Sequence, residues 1–361
     1  MQKPIPTCLM RGGTSRGSFF RGTDLPDDPD LRDKVLLAVM GSPHHLQIDG
    51  LGGGHPLTSK VGIVSPGKQA ACDLEFLFVQ LQPDSSNVDT RPNCGNMLAA
   101  VVPFALECGM VESQGDESTY RVLTLNTGMQ CDITVQTPGG RISYEGDACI
   151  DGVPGNSAPI LINFLDTAGS VCDGLLPTGS VKDKIDGIDV TCIDNGMPMV
   201  MFKAQDVGCT GYESASDLNA NTGVKERIEK LRLACGHAMG LGDVADKNYP
   251  KMTLVAPPQN NGALTTRCFI PHVCHESVGV LGAVTIATAC ILPGSITEGI
   301  AVIPKGQRKQ LSIEHPSGEL SVEMEVDPDD PIKVIRAALL RTARLIMRGE
   351  VMIPANILQG E

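Results

Sequence analysis

The segment RPNCGNMLAAVVPFALECGM, residues 91–110, places a cysteine in an Asn-Cys-Gly-Asn turn directly before a long apolar run. The run is apolar on nearly every face of a helix, and such a helix is buried on all sides. A second run of this kind, ESVGVLGAVTIATACIL at residues 276–292, occurs in the other half of the chain. Short β-branched or alternating runs bounded by Gly, Pro or Asp flank both segments and predict strands. The sequence therefore predicts an α/β (α+β) fold with two β-rich units, each wrapped around one central helix.

Internal repetition relates the two halves of the chain. Three pairs of segments match weakly, in the same order and at nearly equal offsets: SKVGIVSP with PKMTLVAP, CGNMLAAV with SVGVLGAV, and NTGMQCDITV with PSGELSVEME. Such a repeat indicates two copies of one structural unit. The alignment places Lys60 and Cys94 in the first copy, and Lys251 and Ser277 at the equivalent positions of the second.

The length of the chain also favours two domains, because its 361 residues are more than twice the roughly 150 residues of an average domain. The expected junction lies near residue 185, between the strand-like runs APILINFL and IDVTCID. We therefore predict a first domain at residues 1–185, completed by the C-terminal segment 334–361, and a second domain at residues 186–333.

Composition narrows the classes of partner. The net charge of −13 argues against nucleic acid, because phosphate binding requires a basic face. There is no membrane-spanning apolar run and no apolar signal-peptide core, so we expect a cytoplasmic protein. The 13 scattered cysteines favour reduced thiols. The expected partner is a small anion bound by helix N-termini and a few basic side chains, and a homodimer is the expected assembly.

Cys94 precedes the first buried helix and would face the free N–H groups of its first turn. Those groups favour a thiolate, and the N–H groups of Gly95 and Asn96 would hold a carboxylate or enolate oxygen. The N–H groups of Val278 and Gly279 would do the same at the second helix. The alternative is that Cys94 is a small apolar residue in a tight turn.

The stretch GLGGGHPLTSKVGIV contains Lys60 at the start of a predicted strand, after a Thr-Ser pair. Its glycines suggest a phosphate loop, but the G-x-x-x-x-G-K-[ST] pattern is missing. Lys60 can act as a base near neutral pH only where partial burial favours its neutral form. The alternative is an edge lysine that points to solvent.

The stretch MRGGTSRG offers Arg11, Thr14 and Ser15 around a Gly-Gly bend. In this arrangement Arg11 would hold a carboxylate through paired hydrogen bonds. The alternative is a β-turn with ordinary turn residues.

The stretch RCFIPHVCHES carries four side chains of the types that bind zinc, Cys268, His272, Cys274 and His275. Their spacing matches no structural zinc pattern, so we expect no metal. A histidine that binds a substrate carboxylate or caps the turn fits this segment better. A zinc hydrolase is the alternative.

Eight motifs together resemble the PrpF family of isomerases, which have the diaminopimelate-epimerase fold. They keep their order along almost the whole chain: MRGGTSRG, GSPHHLQIDGLGGGHPLTSKV, PNCGNMLA, IDGVPG, TCIDNGMP, LGD, FIPHVCH and EHPSGEL. The resemblance implies two pseudo-symmetric domains, each a β-barrel-like sheet around a central buried helix, with the active site in the cleft between them. It also implies proton transfer without a cofactor. Arg16 is a departure, since many members have lysine there.

Within the family the chain is most similar to enzymes that tautomerise or isomerise 4-oxalomesaconate in gallate and protocatechuate breakdown. The resemblance implies Lys60 and Cys94 as the catalytic pair, at the TSK and NCGN motifs. Diaminopimelate epimerases use two thiols, whereas Ser277 occupies the second-domain position here, which favours a Lys/Cys pair. We expect a 1,3-proton shift on a small unsaturated di- or tricarboxylate. The other candidate binding residues are Arg11, Thr14, Ser15, Ser59, Asn93, Gly95, Asn96, Lys251, Arg267, His272, Ser277, Val278 and Gly279.

Two other functions stay open on the sequence alone. Isomerisation of 2-methylaconitate or methylitaconate would use the same motifs around Lys60 and Cys94. A noncatalytic carboxylate-binding protein would keep the fold, although the presence of both side chains speaks against it. The sequence does not decide which of Lys60 and Cys94 is the base and which is the acid.

Overall fold

The computed structural model describes residues 1–68, 71–165, 167–329 and 334–359. Contacts along the chain divide it into two compact units, Met1–Leu165 with Arg341–Glu361, and Asp166–Leu340. Both units combine many strands with fewer helices, which confirms the predicted α/β class. No helix in the described ranges combines the length and hydropathy needed to cross a membrane.

The first unit opens with an antiparallel hairpin and continues with strands and helices in alternation. Up to residue 165 its described helices and strands are β1 (Gln2–Gly12), β2 (Ser15–Arg21), α1 (Pro29–Met40), β3 (Lys60–Pro66), β4 (Leu74–Gln82), β5 (Ser85–Asp89), α2 (Gly95–Leu98), α3 (Val101–Glu107), β6 (Glu117–Thr124), β7 (Gln130–Gln136) and β8 (Ile160–Phe164). Strand β2 is parallel to β3, and β4 is parallel to β6, whereas the pairs β3–β4, β6–β7 and β7–β8 are antiparallel.

The second unit follows a similar plan. Its described helices and strands are β9 (Asp183–Ile185), β10 (Ile188–Asp194), β11 (Pro198–Lys203), α4 (Ala215–Ala220), α5 (Thr222–Ala238), β12 (Lys251–Ala256), β13 (Leu264–Phe269), α6 (Val280–Ile291), β14 (Arg308–His315), β15 (Gly318–Val326) and β16 (Val334–Arg341). Strand β9 pairs with β10, so the strand beside the expected junction near residue 185 lies in the second unit. The last strand, β17 (Ala343–Pro354), belongs to the first unit and runs antiparallel to β1.

Short 3₁₀ turns complete the two units. They lie at Gly22–Asp24, Pro56–Thr58, Pro138–Gly140, Ala204–Val207 and Ala355–Gln359.

The order of strand directions is the same in both units. In the second unit β11 is parallel to β12, and β13 is parallel to β14, whereas β12–β13, β14–β15 and β15–β16 are antiparallel. Strands β3 and β12 begin at Lys60 and Lys251, the two lysines that the sequence alignment placed at equivalent positions. The repeat in the sequence therefore corresponds to a repeated order of pairing.

The prediction of one continuous helix after Cys94 was wrong, because the helix is interrupted between α2 and α3. Pro103 lacks the N–H that would bond to the carbonyl of Ala99, and its ring crowds that carbonyl. The N–H of Ala100 instead bonds to the carbonyl of Met97, three residues back, at 3.0 Å. The chain then re-enters an α-helix at Val101.

The second central helix, α6, begins at Val280, later than the alignment with residues 94–101 requires. Its N-cap is Gly279, whereas the N-cap of α2 is Cys94. Ser277 therefore lies two residues before the N-cap of the helix that it was expected to open. Both central helices are largely buried, as predicted from their apolar faces.

A second core in the first unit lies between α1 and the strands. Helix α1 begins at Pro29, where the fixed φ of proline suits the first helical position, and ends before Gly41 in the left-handed conformation, with φ 75°. Its buried side chains, including Leu36, pack with Phe20, Val61 and Ile353. This packing supports β3 from the face opposite to the central helix.

Candidate active site

Lys60 is the first residue of β3, and only 7% of its surface is exposed. Its Nζ donates a hydrogen bond of 2.5 Å to Oε1 of Gln80, the residue directly opposite on β4. The same nitrogen lies 5.0 Å from the centre of the Phe78 ring. The side chain therefore points into the unit, which excludes the alternative of an edge lysine facing solvent.

Cys94 occupies the N-cap of α2, with φ −136° and ψ 98°. Its side chain makes no capping hydrogen bond and is partly exposed, whereas ten of the 13 cysteines are buried. Gly95 and Asn96 form the first turn of α2 directly after it. Cys94 is thus an accessible thiol at a helix start, which disfavours the alternative of a core cysteine.

Two side-chain amides hold the loop that leads into Cys94. Asn93 donates from Nδ2 to Oγ1 of Thr127 at 2.6 Å. Asn126 accepts from the N–H of Phe78 at 2.9 Å and donates to the carbonyls of Phe78 and Thr90 at 2.8 and 2.6 Å. Asn93, predicted to bind substrate, thus uses its amide donors within the protein.

The Gly-Gly bend lies against the first turn of α2. A Cβ atom on Gly12 would stand 2.3 Å from the carbonyl oxygen of Asn96, and one on Gly13, where φ is +51°, would meet the Asn96 side chain. Asn96 donates from Nδ2 to Oγ1 of Thr14 at 3.0 Å and approaches Oγ of Ser15 at 3.5 Å. Two of the predicted binding side chains, Thr14 and Ser15, are therefore fixed beside α2.

Gly17 brings the start of β3 and the start of α2 together. A Cβ atom on Gly17 would lie 2.3 Å from the carbonyl oxygen of Lys60 and 2.5 Å from Cε of Met97. Both segments therefore approach the same glycine of β2. This packing places Lys60 near the helical turn that follows Cys94.

Ser59 is completely buried in the loop before Lys60. Its Oγ lies 2.7 Å from Oε1 of Gln47 and 2.8 Å from the carbonyl oxygen of His55. The hydroxyl group therefore stabilises the glycine-rich loop. Its predicted contact with substrate stays a prediction.

Arg11 makes hydrogen bonds mainly to the backbone around it. Nη1 donates to the carbonyls of Gly13 and Thr342 at 3.0 and 3.1 Å and to Oγ1 of Thr342 at 2.9 Å. Burial lowers the pKa of Arg11, and the nearby charge of Arg344 acts in the same direction. Arg11 thus ties the Gly-Gly bend to the C-terminal segment, and its role as a carboxylate anchor stays a prediction.

Arg341 is a candidate site residue that the sequence did not reveal. Burial lowers the pKa of its guanidinium to about 10, and the nearby Cys94 acts in the opposite direction. A Cβ atom on Gly13 would lie 3.2 Å from Cδ of Arg341. The sequence indicated Arg341 only indirectly, through the expectation that residues 334–361 complete the first domain.

In the second unit Lys251 is the first residue of β12, and its Nζ lies 3.7 Å from the point that a Cβ on Gly279 would occupy. Ser277 donates its N–H to Nδ1 of His275 at 3.0 Å, and its Oγ lies 3.3 Å from Nε2 of His315. Lys251 and Ser277 therefore both lie near the start of α6. The buried Val278 precedes Gly279 in the same turn.

Arg267 and His272 are directed to other parts of the second unit. Arg267 is buried, and it donates from Nε to the carbonyl of Glu213 at 2.6 Å and from Nη1 to the carbonyl of Thr266 at 2.8 Å. Burial lowers its pKa. His272 lies 3.3 Å from a carboxylate oxygen of Glu229 on α5. The predicted carboxylate contacts of both residues stay predictions.

The cysteines of the RCFIPHVCHES segment are buried. Burial raises the pKa of Cys268, and it raises the pKa of Cys274 to about 12. The histidines turn to different partners, since His272 approaches Glu229 and His275 interacts with the backbone of Ser277. Within the described residues, no group of three or more His, Cys, Asp or Glu side chains is arranged to hold a metal.

The family model described as PrpF protein matches residues 2–354. The chain is 54% identical to a (4E)-oxalomesaconate Delta-isomerase of Novosphingobium sp. (strain KA1), over 96% of this chain and 97% of the relative. It is 49% identical to a 4-oxalomesaconate tautomerase of Pseudomonas putida, over 98% and 97% of the two chains. The similarity covers both units.

A solved structure is similar along nearly its full length. The crystal structure of a methylitaconate-delta-isomerase is 34% identical to the chain and superposes with a TM-score of 0.88. The match covers 99% of this chain and 97% of the solved one.

Proposed function

The chain belongs to the PrpF family, and on that basis we propose that it is an isomerase that catalyses a cofactor-independent 1,3-proton shift on 4-oxalomesaconate or a similar unsaturated tricarboxylate. Two relatives whose names state isomerisation or tautomerisation of 4-oxalomesaconate support this substrate. The shift produces either a keto–enol tautomer or a displaced double bond. Both outcomes need one general base and one general acid.

The observation that carries the proposal is the environment of Lys60. Its amine is buried, and it donates to the neutral amide of Gln80. Among residues 1–68, 71–165, 167–329 and 334–359, no carboxylate forms an ion pair with it. A nearby carboxylate would hold the ammonium form, so this environment suits a lysine that must lose its proton to act as a base.

In the proposed reaction Lys60 removes a proton from a carbon that a neighbouring carbonyl group makes acidic. The electron pair of the broken C–H bond becomes a π bond of a dienolate, and the negative charge moves to oxygen. Cys94 then returns a proton at a different atom of the conjugated system, and solvent restores both side chains. If Lys60 and Cys94 exchange roles, the net reaction is the same.

The substrate carboxylates need partners that hold the reacting carbon in place. We assign this role in the first unit to Thr14 and Ser15, which Asn96 fixes beside α2, and to Arg341, which lies near Cys94. Each supplies a hydrogen-bond donor for a carboxylate, and the Arg341 guanidinium also carries positive charge.

We also propose that each unit is a β-barrel-like sheet around its central helix and that both units share this architecture. The repeated order of parallel and antiparallel pairs supports this view. The full-length match to a solved family structure supports it as well.

A second candidate function is the isomerisation of methylitaconate or 2-methylaconitate. It is favoured by the TM-score of 0.88 to a methylitaconate-delta-isomerase. The allylic shift on that substrate would use the same Lys60 and Cys94. We rank it second because the relatives named for 4-oxalomesaconate share far more of their sequence with this chain.

The test is incubation with 4-oxalomesaconate in deuterated water, followed by proton NMR. We expect enzyme-dependent exchange of one carbon-bound proton and appearance of the isomer. A parallel incubation with methylitaconate and 2-methylaconitate measures the second candidate. Absence of exchange and of product with 4-oxalomesaconate would reject the first, and turnover of a methylated substrate would then establish the second.

A further inference from the structure

Gln80 presents its side-chain oxygen, and not its nitrogen, to Lys60. Its Nε2 lies 2.8, 3.0 and 3.2 Å from the carbonyl oxygens of Leu81, Pro56 and Ser59. Carbonyl oxygens only accept hydrogen bonds, so the amide nitrogen must face them. A flipped amide would set Oε1 against three oxygens and its NH₂ group against the Lys60 amine. The backbone therefore fixes Oε1 as the acceptor for Lys60.

A fixed acceptor does two things for a basic amine. It holds Nζ through one N–H, so the nitrogen lone pair is directed away from Gln80. It also carries no net charge, so it does not hold the lysine as an ammonium ion in the way that a carboxylate at 2.5 Å would. Glutamate has nearly the same shape as glutamine but would supply that charge. The amide of Gln80 therefore orients the Lys60 amine without adding a negative charge beside it.

The other groups around β3 do not supply a counter-charge to Lys60. The elements packed against β3 carry these titratable side chains: Arg16 and Arg21 on β2, Asp24 in the turn after it, His55 before the 3₁₀ turn, Glu75 on β4, Cys94 at the start of α2 and Glu107 on α3. Helix α1, on the opposite face of β3, carries Asp30, Arg32, Asp33 and Lys34. Asp24 pairs with Arg21, and Glu107 pairs with Arg348. Glu75 accepts the N–H of Lys68.

We infer that Gln80 is a positioning residue for Lys60, which holds the amine by a neutral acceptor and so orients it for proton transfer without placing a counter-charge beside it. This inference rests on the proposed role of Lys60 in proton transfer. Gln80 does not itself touch the reacting atoms. Its effect is therefore expected in the pH dependence of the reaction and in kcat more than in KM.

Three variants test the inference. Gln80→Glu adds a charge next to Lys60, Gln80→Met removes the acceptor, and Gln82→Glu adds the same charge on the same strand. Among the described hydrogen bonds, none joins the Gln82 side chain to Lys60, so Gln82 is the matched control. Circular dichroism and thermal melting establish that each variant is folded.

The measurement is the pH dependence of kcat, together with the titration of Lys60 followed by NMR in protein labelled at lysine Cε. The Lys60 signal is assigned by its loss in Lys60→Ala. In Gln80→Glu the acid limb of kcat and the Lys60 titration should move to higher pH by about one unit or more. In Gln80→Met the limb should move to lower pH, with kcat reduced about tenfold or more because the amine is no longer held. Gln82→Glu should leave both curves in place.

The two measurements separate the inference from the proposed function. If both Gln80 variants keep the wild-type pH profile and Lys60 titration, Gln80 is only a structural residue and the inference is wrong. If Gln80→Glu does not fold, the direction of the shift in Gln80→Met decides in the same way. If the wild-type protein turns over none of the substrates but the Lys60 titration shifts as expected in the Gln80 variants, the proposed function is wrong. The effect of Gln80 on Lys60 is then still supported.

Discussion

The backbone of Gly12 touches the backbone of Asn96, because a Cβ atom on Gly12 would stand only 2.3 Å from the Asn96 carbonyl oxygen. Gly12 ends β1, and Asn96 lies in the first turn of α2. The contact fixes the helical turn next to Cys94 against the Gly-Gly bend. The φ of Gly12 is not in the left-handed region. The glycine is therefore required for the close approach of the two backbones and not for an unusual backbone conformation.

We predict that Gly12→Ala lowers both stability and turnover. The added methyl group meets backbone atoms that cannot move by a rotamer change, so the cost in the free energy of unfolding should be about 1–3 kcal/mol. The displacement of α2 should also lower kcat by moving Cys94. Urea unfolding and steady-state turnover measure the two effects.

The control is Gly349→Ala on β17, where no atom lies within 4 Å of the added methyl group. That variant should change the free energy of unfolding by less than about 0.5 kcal/mol and keep its turnover. Equal stability of the two variants would contradict the argument from close approach.

Lys60→Ala should abolish turnover while the protein stays folded. The change removes the proposed base, and general acid–base groups contribute about 10²–10⁴-fold to rates. Proton NMR in deuterated water measures exchange and product together, and circular dichroism reports the fold. Lys3→Ala, at the exposed start of β1, should keep full activity. Turnover of Lys60→Ala near the wild-type rate would reject Lys60 as an essential acid–base group.

The sequence predicted the parts of the site that adjoin recognisable patterns. Cys94 was found because an Asn-Cys-Gly-Asn turn precedes an apolar run, and Lys60 because it begins a strand that recurs at Lys251. The structure places each of them at the start of the expected element. These features depend on residues that are close together in the chain, where propensity and pattern are strongest.

The sequence could not predict the features that depend on distant segments. Arg341 lies near Cys94 because the C-terminal segment rejoins the first unit, and no local pattern encodes that return. His272 could bind a substrate carboxylate, but in the folded chain α5 places the carboxylate of Glu229 3.3 Å from its ring. The break after α2 was readable from Pro103, yet the apolar pattern continues through it and favoured one helix.

Glu314 should make the stability of the protein depend on pH. Burial raises its pKa, but hydrogen bonds from Thr265 Oγ1 and from the N–H groups of Gln259, Asn260 and Gly262 outweigh that effect, so its pKa in the folded protein lies below the usual value.

A carboxylate with a lowered pKa stabilises the folded state above its unfolded pKa, and this contribution disappears as the pH falls through the folded value. Glu314→Gln should therefore reduce the free energy of unfolding at pH 7 by about 1–3 kcal/mol, because the amide cannot accept all of these bonds. The difference from the wild-type protein should shrink in acid. Urea unfolding across this pH range measures it, with Glu226→Gln on the exposed face of α5 as the control. A difference that stays constant from neutral to acid pH would mean that the charge of Glu314 is not what stabilises the loop at residues 259–262.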